Sequence, residues 1–354
     1  MTSMTPRLSI CIATLNRARF LKETLDSILD QASDEVEVVI VDGASSDDTG
    51  EVVRRMQERF PRIRYIRREK AMGVDRDFDT AVQYASGEYC WLLCDDDVLK
   101  PGAVAKVFSE TSRGYSLLVV NADVWDAGYA RRLEERRLRI AEDRLYPPSN
   151  FGELFADTGV FLTFIGGVVI RRDLWMARER ERYFGTEFIH VGVIFQAPLP
   201  GTTLVISKPL ISIRYGMAQW TARSFEIWMF KWPDLVWSFP DISGDVKNRV
   251  SPREPWRILK TLLTFRAIGA YSLRDYHHGI RPRTRSRSRR AVPFLVSVFP
   301  GEILNVLGLA YFSIFHRHAL MPLVDLRNSR FCIFGKSQTG NSFPSRNIRN
   351  SIDK

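Results

Sequence analysis

Short apolar runs and stretches of helical periodicity alternate through the first third of the chain. Leu8 to Ala13 (LSICIA), Val36 to Val41 (VEVVIV) and Tyr89 to Cys94 (YCWLLC) are brief, apolar-rich and bounded by polar residues. Such runs read as buried strands, and Ile63 to Ile66 as a shorter one. Between them Phe20, Leu21, Thr24, Leu25, Ile28 and Leu29 recur at helical spacing. A second helix follows a turn at Gly43 to Thr49, capped by Ser45 or Ser46 and running to about Glu58. Gly73 opens a third, with Val74, Phe78, Ala81, Val82 and Ala85 on one face. Strands alternating with helices predict an α/β fold whose mostly parallel, doubly wound sheet is flanked by helices. Leu117 to Asn121, Phe161 to Ile170 and Leu204 to Ile213 supply further strands. The mixed-charge run Arg131 to Arg144 reads as a solvated helix or loop.

Ligands of such sheets bind beyond the carboxyl ends of the strands. Thr14, Asn16, Asp42 and the triplet Asp95, Asp96 and Asp97 all fall at such ends, so they can line one crevice although far apart in sequence. Three adjacent carboxylates repel one another unless a positive charge or water compensates them. Mg²⁺ is commonly held by one or two carboxylates together with substrate phosphates. The triplet therefore reads either as a metal–diphosphate site or as an acidic turn before a helix starting near Pro101. Asp75, Arg76 and Asp77 read as a helix's first turn, where acids suit the dipole, or as groups facing a ligand. Gly166-Gly167 permits close backbone approach by a ligand or another strand.

Three stretches carry a family resemblance: ATLNRARFLKETLDSIL, VDGASSDDT and LLCDDDVLKPGAV. Their order, spacing and strand-end placement resemble the nucleotide-binding half of a family 2 glycosyltransferase of the GT-A fold. GVDRDFDTAVQYASGEYCWL and GTEFIHV are similar to bacterial abequosyltransferases and related O-antigen sugar transferases. The resemblance implies that Ala13 and Thr14 pass beside a nucleobase and that Asp42 accepts a hydrogen bond from it. It places Asp95 towards the ribose, Asp96 as the main metal ligand with Asp97 beside it, and Asp77 facing the donor. Asn16 and Arg17 are nucleotide contacts or turn and surface residues. The implied ion is Mg²⁺ or Mn²⁺. Cys94 stands where the family has an aspartate, and Ala13 where it has a proline. The acceptor base is usually a carboxylate in a Glu-Asp pair, which is missing here. Glu187 and His190 remain, at i, i+3 spacing on one expected helix face. Each is a candidate base, since a base needs reach and a suitable pKa. The alternative for His190 is a hydrogen-bonded core position. Trp220 and Arg223 lie where donor loops of the family close against the diphosphate; the alternative is a core tryptophan and a surface arginine.

Beyond about Ser251 the composition shifts. Trp256, Leu259, Leu262, Leu263 and Phe265 suggest an amphipathic helix, and Arg281 to Arg290 (RPRTRSRSRR) is a dense basic run. Ala291 to Phe315 is apolar but interrupted by Pro293, Pro300, Glu302 and Asn305, so it predicts a broken, interfacial or re-entrant hairpin rather than a straight span. Basic residues beside such a segment suit an anionic leaflet. The organisation expected is a GT-A domain over 1–245, with nucleotide-binding and acceptor halves meeting near 125, a helical membrane-associated extension over 246–335, and a mobile tail over 336–354. Among 354 residues the net charge is +10, which calls for an anionic partner. No aromatic-interleaved recognition motif accompanies the basic run, so nucleic acid is not expected. Four cysteines without metal-ligand spacing suit a reduced compartment, and no signal peptide is expected. The function that the resemblance implies is metal-dependent transfer of a sugar, a deoxy- or dideoxyhexose among the candidates, from a nucleotide-diphosphate donor to a lipid-linked or surface polysaccharide precursor, expected on the cytoplasmic face of the cell membrane. A catalytically silent nucleotide-sugar-binding or scaffold protein is the alternative.

Overall fold

The computed structural model describes residues 6–217 and 223–334. It divides into two compact units, one of residues 1–214 and 231–253, the other of 215–230 and 254–354. Where the sequence suggested one boundary near 245, the chain changes unit at 214/215, 230/231 and 253/254.

The first unit is built on a ten-stranded sheet. Its first strands are β1 (Leu8–Thr14), β2 (Val36–Asp42), β3 (Ile63–Arg67) and β4 (Tyr89–Cys94), joined by helices α1 (Ala18–Leu29), α2 (Thr49–Arg59) and α3 (Val74–Tyr84). These strands pair in parallel in the order β3-β2-β1-β4. All seven residues of β2 are buried, as expected of a strand covered on both faces. Of its two acids, Glu37 is satisfied by the Ser9 and Ser86 hydroxyls, which donate to its Oε1 at 2.5 and 2.8 Å, and Asp42 closes the strand. The register pairs Thr14 with Asp42 and Ala13 with Cys94. The three strands therefore end level, and the residues after them open onto one edge.

Beyond β4 come β5 (Val98–Leu99), α4 (Ala103–Thr111), β6 (Leu117–Trp125), and two short strands, β7 (Arg132–Glu134) and β8 (Arg144–Tyr146). β7 lies inside the mixed-charge run expected as a solvated helix or loop and β8 begins at its last residue; they pair with β6 and β10. After α5 (Phe151–Thr158), β9 (Val168–Arg171) runs antiparallel between β4 and β6. The strand expected over Phe161 to Ile170 is thus mostly tight helical turns, and only its end is extended. Gly166-Gly167 has a packing reason. A Cβ on Gly167 would meet the Phe161 ring at 2.6 Å, and one on Gly166 the Phe164 ring at 2.3 Å. The Gly166 carbonyl also accepts the Trp91 indole N–H at 2.9 Å. Helices α6 (Arg172–Ala177) and α7 (Ile189–Phe195) precede β10 (Thr203–Arg214), one strand with an irregularity between Ile206 and Ile211. β10 runs parallel to β6 and completes the sheet order β3-β2-β1-β4-β9-β6-β10-β5.

The second unit is helical among its described residues. Phe225, Met229 and Phe230 share a core with Trp256, Leu262, Tyr271, Tyr276, Ile280 and Val296. Phe225 stacks on Tyr271 with ring centroids 4.5 Å apart. Helices Arg287–Val298 and Gly301–Phe315 meet at a bend of 86°, and no single described helix is long and apolar enough to cross a membrane. Arg281, Arg283, Arg285, Arg287 and Arg289 are exposed.

Candidate functional site

The acid triplet sits in the turn between β4 and β5. Helix α1 holds the turn, because the Thr24 hydroxyl donates to the Asp97 carbonyl at 2.7 Å. The strand end of β10 closes it from the other side, with the Arg214 backbone N–H donating to Asp97 Oδ1 at 3.0 Å. Asp97 is only 2 % exposed. Two arginines compensate the acids. Arg17, itself 9 % exposed, pairs with Asp96 and lies 3.5 Å from Asp95 Oδ1. Arg214 donates through Nε to the Asp96 carbonyl at 3.1 Å and through Nη1 to the Ala127 carbonyl at 2.7 Å, and pairs with Glu23. The Tyr129 ring lies 4.2 Å from the Arg214 guanidinium, and the Phe20 ring lies 4.5 Å from that of Arg17. Two guanidiniums against three carboxylates leave the cluster short of positive charge. Burial, with repulsion from Asp96, pushes Asp95 up to about 7. Asp96 is raised by burial, Arg17 opposing, and Asp97 well above the usual range by burial and Asp96.

Ligand atoms of Cys94, Asp96 and Asp97 lie within 4.8 Å of one another. The donor set fits a hard divalent cation through its two carboxylates. Burial and the neighbouring acids raise the Cys94 thiol well above its ordinary value. Asp96 and Asp97 would hold the ion, which would supply charge neutralisation to a departing diphosphate.

The β1 and β2 ends form the neighbouring wall. Asn16 takes a positive φ of 54°, its N–H bonded to the Ser45 hydroxyl at 2.8 Å and its Oδ1 accepting the Ser46 N–H at 2.7 Å. Asp42 is fully buried: Oδ1 accepts the Ser45 N–H at 2.7 Å and Oδ2 the Tyr65 hydroxyl. The resemblance has Asp42 accepting a hydrogen bond from a nucleobase; in this structure its carboxylate shapes the 43–46 turn. Asp77 is 5 % exposed, pairs with Arg68 at 2.9 Å, and lies where a Cβ on Gly43 would stand 3.1 Å from its Oδ2. Ala13 and Thr14 end β1 directly beside these groups, with Thr14 buried.

Glu187 and His190 do not share a helix face. α7 begins only at Ile189, and Glu187 precedes it with φ 72°. Its carboxylate is partly exposed and accepts from Lys231 Nζ at 3.2 Å. His190 is 1 % exposed, its Nε2–H donating to the Leu162 carbonyl at 2.6 Å. Burial holds its pKa down to about 4. His190 is therefore a core residue and is withdrawn as a base, because no acceptor hydroxyl reaches a buried imidazole. Asp123 is likewise enclosed, paired with Lys100, and Asp126 closes a turn by accepting the Ala130 N–H at 2.9 Å. Trp220 lies outside the described residues. Arg223 is exposed at the start of a short helix in the second unit.

Sequence reasoning missed Arg214, Tyr129 and the role of Asp75. Arg214 gave a signal only as a polar residue closing an apolar strand; Tyr129 gave none.

A sheet of this order, with acids and arginines gathered where its parallel strands end, is the GT-A glycosyltransferase architecture. Residues 9–175 match the family model described as Glycosyl transferase family 2, and the chain belongs to that family. It is 30% identical over 223 residues to abequosyltransferase RfbV of Salmonella typhimurium, covering 58% of this chain and 66% of that relative. It is 33% identical over 112 residues to the GalNAc(5)-diNAcBac-PP-undecaprenol beta-1,3-glucosyltransferase of Campylobacter jejuni, covering 31% of this chain and 36% of that protein. The chain thus spans about two thirds of one relative and about a third of the other. Among solved structures, S. aureus TarS 1–349 in complex with UDP aligns with TM-score 0.56 at 15% identity, over 91% of this chain and 89% of that one. A mannosyltransferase from Pyrobaculum calidifontis in complex with GDP-Man and Mn2+ aligns with TM-score 0.53 at 15% identity, over 92% and 86%. These likenesses show the fold.

Proposed function

We propose that this protein transfers a sugar from a nucleotide-diphosphate donor to a lipid-linked polysaccharide precursor, with a divalent cation at Asp96 and Asp97. The observation that carries this reading is the under-compensated acid cluster where β1, β2 and β4 end level. A diphosphate brings negative charge, which Arg17 and Arg214 are placed to meet, and a divalent ion, Mg²⁺ or Mn²⁺, supplies the charge the acids lack. Glu187 is the acceptor base in this reading, taking the proton from the attacking hydroxyl as the sugar's bond to the diphosphate breaks. Solved GT-A structures hold UDP, UDP-GlcNAc and GDP-Man, which supports a nucleotide-sugar donor. The abequosyltransferase name supports a deoxy- or dideoxyhexose, and the undecaprenol-linked name of the Campylobacter relative supports a lipid-linked acceptor. The bent, apolar-surfaced helix pair beside exposed arginines supports peripheral attachment to an anionic membrane surface, on the cytoplasmic side where nucleotide sugars occur.

The test is turnover of UDP-, GDP-, CDP- and dTDP-hexoses with a polyprenyl-diphosphate-linked hexose as acceptor. Turnover is expected with Mn²⁺ or Mg²⁺, lost in chelator and restored by metal. Asp96→Asn, which keeps shape but removes a charged ligand, is expected to cost at least about 10²-fold in rate, as losing a transition-state charge contact does, with an unchanged melting temperature. Full activity in chelator, or near-normal turnover by a folded Asp96→Asn protein, refutes the metal role. Nucleotide-sugar binding without turnover favours a silent binding protein.

A further inference from the structure

Glu187 holds a backbone conformation that a residue with a Cβ rarely adopts, φ 72°, just before α7. Left-handed geometry in a non-glycine residue is strained and persists only where surrounding structure imposes it. What imposes it here is Asp75, from the first turn of α3. Its Oδ2 accepts the Glu187 N–H at 2.9 Å and its Oδ1 the Ile189 N–H at 3.1 Å. The two residues are 112 positions apart in sequence, and Asp75 is 3 % exposed. Both of its oxygens thus carry the backbone on either side of Phe188. The Glu187 side chain leaves this latch towards Lys231, which donates to its Oε1 at 3.2 Å. Two residues further along α3, Asp77 packs beside Gly43, just after β2, and pairs with Arg68, just after β3. One helical turn therefore touches both the donor-side wall and the segment bearing Glu187.

We propose that Asp75 is a positioning residue for Glu187: its carboxylate holds the 187–189 backbone in the left-handed turn that fixes where the Glu187 carboxylate stands. The inference rests on the reading of Glu187 as acceptor base. Asp75→Asn keeps the shape but replaces one acceptor oxygen with an N–H donor, so it sets a donor against a donor. Asp75→Glu keeps charge and both acceptors on a stem one methylene longer, and serves as the second variant should the first not fold.

Hydrogen exchange of the full-length protein reads the latch without any substrate. In the folded Asp75 variant the amides of Glu187 and Ile189 are expected to exchange at least about tenfold faster, while those of β1 and β2 are unchanged. Turnover on whichever nucleotide sugar of the panel above is used, with the polyprenyl-linked hexose, reads the consequence. A fall in kcat of tenfold or more is expected, with donor KM within about twofold. Adding the Asp75 change to Glu187→Gln is expected to cost nothing more, because residues acting through one group are not additive. Unchanged exchange at 187 and 189, or unchanged kcat in the Asp75 variant, overturns the inference. So does a full additional loss in the double variant. If Glu187→Gln itself keeps its kcat, the base reading fails, and with it the inference; that result is separate from the exchange result.

Discussion

His190 shows what burial does to a residue whose ordinary pKa suits acid–base work. In the folded state its pKa is held down to about 4 by burial, against about 6.5 in an unfolded chain. Between these values the unfolded state binds the proton and the folded state does not, so stability falls as pH drops from about 6.5 towards 4. The span corresponds to at most about 3 kcal/mol. The carboxyls of Asp75 and Asp325, each pushed up to about 6 by burial, act in the opposite direction over a similar window. The quantity to measure is therefore the difference between the native protein and His190→Phe. Chemical denaturation at pH 7 and pH 4 is expected to show the native protein losing up to about 3 kcal/mol relative to the variant, while kcat at neutral pH changes less than about threefold. A large fall in kcat with intact fold would restore His190 as a functional group. Asp42 shows burial acting on a strand-end acid: its contribution to a donor site is the turn that it ties together through Ser45 and Tyr65.

At the scale of elements, the bent pair Arg287–Val298 and Gly301–Phe315 has an unusual surface. Leu295, Leu307 and Ile314 are 60%, 59% and 60% exposed, with Phe299 and Phe315 also open to solvent. Pro300 stands at the break, where its ring and missing N–H end helical continuation. Burying each such side chain in an apolar phase is worth roughly 1.5–3 kcal/mol. The neighbouring exposed arginines each add about 1 kcal/mol near an anionic surface, a contribution that salt screens. Phosphatidylglycerol-containing vesicles are therefore expected to pull down the full-length protein at low salt and, less strongly, at high salt. Leu295→Ser, Leu307→Ser and Ile314→Ser together are expected to weaken binding at least about tenfold, and high salt to remove what remains. Their exposure means that the melting temperature should hold. Equal sedimentation of the native and triply substituted proteins would count against lipid contact.

At the scale of the whole molecule, the second unit is not a C-terminal appendage in sequence. Residues 215–230 belong to it, and residues 231–253 return to the first unit. Phe225, Met229 and Phe230, all buried, pack on Trp256, Leu262 and Tyr271. Cutting the chain at 253 would strip these side chains of their cover while leaving them attached to β10. A chain of residues 1–253 is therefore expected to be recovered mainly as aggregate, unlike the full-length protein. Size-exclusion chromatography of both checks this. A monodisperse, fully folded 1–253 fragment would show that the packing of 225–230 is dispensable.

The parallel half of the sheet was legible in the chain because β1, β2 and β4 are short apolar runs with helical periodicity between them. Those local patterns also place Thr14, Asp42 and Asp95 to Asp97 at strand ends, and the family resemblance follows from the same stretches. Tertiary structure decided everything that depends on which partner comes within reach. It placed Arg17 and Arg214 against the acids, from positions 79 and 118 residues away from Asp96. It buried Asp42 and His190, since the depth of a side chain depends on the segments that cover it. It moved Glu187 out of the helix whose periodicity it shared, because the Asp75 carboxylate, distant in sequence, satisfies backbone N–H groups that a longer α7 would have satisfied itself. Periodicity reports which face of an element is apolar; charge compensation and backbone strain are settled between elements, by contacts that no local pattern encodes.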